Sequence, residues 1–141
     1  MAEAQTIVLI PALFLGAIIG LVELFFVHQD ERGMGWLGHG IHAIPATIFF
    51  TFISMNVGFA LGFLGQSVAV NWYVELGVRL LVAIIAMLKV SAAAAIVGRV
   101  GEKFIHVLII GALIFAAPYA WDFLGASLVQ AMPFLEFQIG G

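Results

Sequence analysis

Glu75, Arg79 and Lys89 are the costliest residues in this chain to bury, and they fall on one helical stripe with Val82, Ala86 and Ala93 at alternating spacings of four and three. Charged side chains within an apolar span cost several kcal/mol unless they pair, snorkel or reach water, so this stripe is expected to face a bundle interior or an aqueous cavity. Glu75 and Arg79 lie one turn apart and can pair, with Asp122 expected at a similar depth. Lys89 lies deeper, and its expected partner is Glu23. At about 1.5 Å per residue the two sit roughly 14 Å and 7 Å from their helix ends, a gap a lysine stem can bridge. Such a pair could serve as a gate, an ion site or a proton-relay step, or could simply fix helix register.

A second stripe runs through Thr47, Thr51, Ser54, Gly58, Gly62 and Gly65, with Phe49, Phe52, Phe59 and Phe63 on the opposite side. A helix with one tight face and one bulky apolar face belongs in a packed membrane bundle, because in lipid the small residues are the ones that meet other helices. Glu23 shares its own face with Ala12, Gly16 and Gly20, and the GAIIG segment is a GxxxG close-approach motif.

His28, His39, His42 and His106, with Asp30, make a third constellation. Imidazoles and carboxylates are transition-metal ligands, and His39 and His42 at i, i+3 could share a helix face. A solvated helix end accounts for the same residues, as does pH sensing; no cofactor is required by the sequence, and a transition metal is the one it could accommodate. Gly33, Gly35 and Gly38 spell G-x-G-x-x-G, but no strand precedes them, so they are expected to form a turn rather than a phosphate cradle. No catalytic motif is present, and an enzyme using the histidines on a lipid or redox partner is a third option behind the two classes below.

The elements that must position these groups follow from composition. With 64% hydrophobic and 9% charged residues against about 25% charged in soluble domains, the 141-residue chain reads as a single all-α transmembrane domain, 1–141. Four segments reach the roughly 20 residues needed to cross a bilayer: 6–28, 42–65, 73–98 and 104–124. The tail, 125–141, interrupted by Pro133, is expected either to extend the fourth helix or to lie at the interface with Phe134, Leu135 and Phe137 inserted and Glu136 outward. Pro45 is expected in the first turn of its helix, and Pro118 to kink the fourth. MAEAQ lacks a basic leader region, so the first segment is expected to be retained. There is no cysteine, which excludes disulfides and thiolate chemistry, and no basic cluster, which excludes nucleic acid.

Arg32, Arg99 and Lys103 lie in the first and third loops, which the positive-inside rule assigns to the cytoplasm, with both termini outside a cell membrane. Two functions fit these stripes. One is a homo-oligomeric channel or transporter lined by the polar and charged faces of the second and third segments. The other is a non-catalytic accessory or structural subunit whose small-residue faces dock onto partner helices in a larger membrane complex.

Overall fold

The computed structural model describes residues 6–30, 35–65, 71–96 and 103–136, and their regular elements are all helices. In chain order these are α1 (Ile10–Asp30), α2 (Trp36–Met55), α3 (Val57–Gly62), α4 (Trp72–Ile96) and α5 (Phe104–Ala131), followed by a 3-10 turn at Pro133–Glu136. Helices α1, α2 and α5 are long and apolar enough to cross a membrane, which is compatible with a membrane location.

Helix α2 differs from expectation at both ends. It starts at Trp36 instead of residue 42, so Pro45 is an interior residue and not a first-turn one; its ring faces outward, where the missing N–H costs least packing. It also stops at Met55, because Asn56 leaves the helical region (φ −113°, ψ 21°) before α3 resumes. The face set by Thr47, Thr51 and Ser54 consequently does not continue into Gly58 and Gly62, which are half-buried; Val57 and Leu61 take the inward positions of α3. Gly65, with φ 125°, closes this segment in the left-handed region that favours glycine. Of the two expectations for the tail, the helical extension is the one found as far as Ala131. Pro133 then turns the chain back so that Leu135 is buried against α1 and α5 while Phe134, exposed, meets Phe14 edge-on. Phe137 and the Glu136 side chain lie outside the described residues.

The helices form a rhombus. α2 and α5 touch each other and each touches both α1 and α4, while α1 and α4 share no contact among the described residues. The antiparallel α1–α2 seam is built on the GxxxG face. A Cβ on Gly16 would lie 2.7 Å from the Ile48 Cα, and one on Gly20 would lie 2.6 Å from the Thr47 Oγ1. Neither position admits alanine without displacing the neighbouring backbone or hydroxyl, so the two helices approach as closely as their main chains allow. At the centre Ala12, Ile19, Met55, Ala86, Ile110, Ile114 and Ala117 pack together, and Gly111 of α5 receives the Met87 side chain of α4.

Candidate functional site

Along the inner face of α2 the hydroxyl stripe is fully enclosed: Thr47, Thr51 and Ser54 are at most 1% exposed, whereas Phe49 on the far side is 57% exposed. Thr47 donates to the carbonyls of Ala43 and Ile44 at 3.0 and 2.9 Å, the usual way a helix satisfies a hydroxyl in apolar surroundings. Thr51 Oγ1 and Ser54 Oγ make no hydrogen bond among the described residues. Leaving such a group dry and unbonded costs about 1–3 kcal/mol. Below Thr47, one turn along α1 from Gly20, the carboxylate-bearing Glu23 is likewise buried, at 2% exposure. Glu23, Thr47, Thr51 and Ser54 therefore follow one another along the α1–α2 hairpin as a polar column inside an apolar bundle.

Where α2 ends, the column meets Arg79. The last carbonyls of a helix have no partner in the next turn and carry the negative end of its dipole. Here Arg79 Nε of α4 donates to the Ser54 carbonyl at 3.2 Å, its Nη2 pairs with Glu75, and its guanidinium lies 5.2 Å from the ring centre of Tyr119 on α5. Asn56, in the break itself, donates from Nδ2 to the Phe52 carbonyl at 2.9 Å and to the Val8 carbonyl at 3.1 Å, and its Oδ1 accepts from the Val8 N–H at 2.7 Å. A single amide thus caps α2 and holds the extended chain that precedes α1.

The expected Glu75–Arg79 pair is present, but the expected Lys89–Glu23 pair is not. Lys89 points outward, exposed, and cannot reach Glu23, because α2 and α5 separate α1 from α4. Among the described side chains of α4 the buried positions are Val82, Ala83, Ala86 and Val90. At about 100° per residue Arg79 lies within roughly 5° of the centre of that face and Lys89 about 75° away, so a stripe drawn through both was too wide. Asp122 is also exposed and takes no part in the Arg79 cluster; Tyr119, one turn earlier on α5, supplies the contact instead. Asn56 did not stand out in the sequence, although it is the lone amide in the apolar run after Ser54.

At the opposite end of the bundle, Asp30 closes α1 against the start of α5. Its carboxylate, 2% exposed, accepts the Lys103 N–H at 3.0 Å, lies 3.2 Å from Lys103 Nζ and accepts from His106 Nδ1 at 2.6 Å. The His106 ring stacks on Phe26 at 4.2 Å and 6°. Of the other histidines, His28 stacks on Trp36 at 3.7 Å, His42 is exposed, and the His39 side chain lies outside the described residues. Among the described residues no three His, Asp or Glu side chains converge as metal ligands.

No protein-family model, curated protein sequence or solved structure matches this chain.

Proposed function

We propose that the chain is a four-span integral-membrane transport protein in which each protomer carries its own pathway for protons, running from Glu23 through Thr47, Thr51 and Ser54 to the Glu75–Arg79 pair. What supports the reading above all is the pair of buried hydroxyls, Thr51 and Ser54, that decline the carbonyl bonds Thr47 makes. Unbonded hydroxyls in line with a buried carboxylate leave donor and acceptor capacity for a relay, and their complete enclosure admits nothing larger than a proton in this conformation.

Helix α4, 25 residues and about 37 Å long, supplies the fourth crossing. The positive-inside rule turns the Asp30 end to the cytoplasm and both termini outward. In that frame Lys89 snorkels. Met87 faces Gly111, about 12 Å above Lys103 along α5, so Lys89 lies about 9 Å from that end and its stem covers most of the distance. A second reading, an accessory subunit docking through α4, is favoured by the same outward lysine on a helix whose Leu81, Ile85 and Leu88 are also exposed.

The test is proton flux into liposomes containing the purified chain and a trapped pH-sensitive dye, driven by a potassium diffusion potential. Flux well above protein-free liposomes, falling at least tenfold in Glu23→Gln and severalfold in Thr51→Val, is the expected outcome. Wild-type flux indistinguishable from empty liposomes overturns the transport reading and leaves the docking one.

A further inference from the structure

We propose that His106, oriented by Asp30, is the group that exchanges protons between the cytoplasmic water and Glu23; the inference rests on the proton-pathway reading above. Asp30, an acceptor when ionised, receives the Lys103 N–H and His106 Nδ1 on Oδ2, and the Lys103 ammonium lies 3.2 Å from Oδ1. Its contact to Nδ1 fixes the tautomer of the neutral ring. Nδ1 carries the hydrogen, and Nε2 is left with a lone pair. No hydrogen bond to Nε2 is found among the described residues, and the His106 side chain as a whole retains 13% exposure.

A carboxylate that holds one ring nitrogen as a donor fixes the ring's orientation and leaves the other nitrogen as the acceptor.

Position agrees with this role. His106 touches both Phe26 and Asp30, three and seven residues beyond Glu23, so it lies about 4.5 to 10 Å along the α1 axis from the level of the buried acid. Stacking on Phe26 prevents the ring from turning away from Asp30, so proton uptake and release at Nε2 leave the Nδ1 bond in place. The transfer balances as a simple shuttle: Nε2 takes a proton from water, becomes imidazolium, and passes it inward to the Glu23 carboxylate, the neutral tautomer being restored. Among the described residues, the other titratable groups at this end are Glu23, Asp30 and His28 on α1 and Lys103 at the start of α5. His42 on α2 and Lys89 on α4 are exposed.

Two measurements on the full chain test the assignment. Nitrogen-15 NMR of histidine-labelled protein is expected to show His106 protonated at Nδ1 when neutral, and Asp30→Asn is expected to move that hydrogen to Nε2. In the dye-loaded liposomes, wild-type flux is expected to depend on the pH of the solution at the Asp30 end. His106→Gln is expected to flatten that profile and slow flux about tenfold at pH 7, while His42→Gln leaves both unchanged. An Nε2–H ring in the wild type, or a His106→Gln profile that superimposes on the wild type, overturns this inference alone. Absence of wild-type flux overturns the proton pathway with it.

Discussion

The two ends of this bundle each bury a charge, and they satisfy it in opposite ways. At one end the hub is a cation: Arg79 holds the Glu75 carboxylate, the Ser54 carbonyl and the Tyr119 ring, joining α4 to α2 and α5. At the other the hub is an anion, and Asp30 gathers donors from a residue pair more than seventy positions away in sequence. Partners at the Arg79 end are backbone, aromatic face and a carboxylate that is itself three-quarters buried. Among those at the Asp30 end, the Lys103 side chain is 65% exposed and exchangeable with water. The first arrangement is a clamp that must stay intact; the second can trade protons and donors without the helices parting.

Substitutions at the two ends can break this contrast. Arg79→Met strands Glu75 and the α2 terminus, and a cost of about 3 kcal/mol is expected in detergent unfolding, partly recovered when Glu75→Gln is added. Asn56→Ala removes both bonds to Val8. About 1–2 kcal/mol and faster hydrogen exchange at the Val8 amide are expected, with the Asp30 end unaffected. Lys103→Met is expected to change stability by less than about 0.5 kcal/mol, as for exposed ion pairs, since Asp30 keeps the Lys103 N–H and His106. A Lys103→Met loss as large as that of Arg79→Met would erase the distinction between clamp and exchangeable contact.

Much of this was written in periodicity. Gly16 and Gly20 announced the α1–α2 seam, and Thr47, Thr51 and Ser54 announced the inward face of α2, because side-chain size at spacings of three and four decides what a helix can pack against. The break at Asn56 was not visible, since one amide in an apolar run reads equally as a tolerated helical residue; its role depends on Val8, 48 residues earlier. Lys89 was misplaced because the ten residues separating it from Arg79 turn the helix by about 1000°, some 80° off the same line, and only the neighbours of α4 reveal where the buried face is centred. Asp30 and His106 were both singled out, yet their pairing requires the first and last long helices to be adjacent, which no local pattern encodes.

The glycine seam between α1 and α2 has a mechanical corollary. Slipping α1 by one turn in either direction would bring Ala12 against the Ile48 main chain or Leu24 against Thr47, where even a single methyl has no room. The pair consequently possesses one sliding position and travels as a single lever, so any rearrangement that opens the interior must be a swing of α4 and α5 away from it.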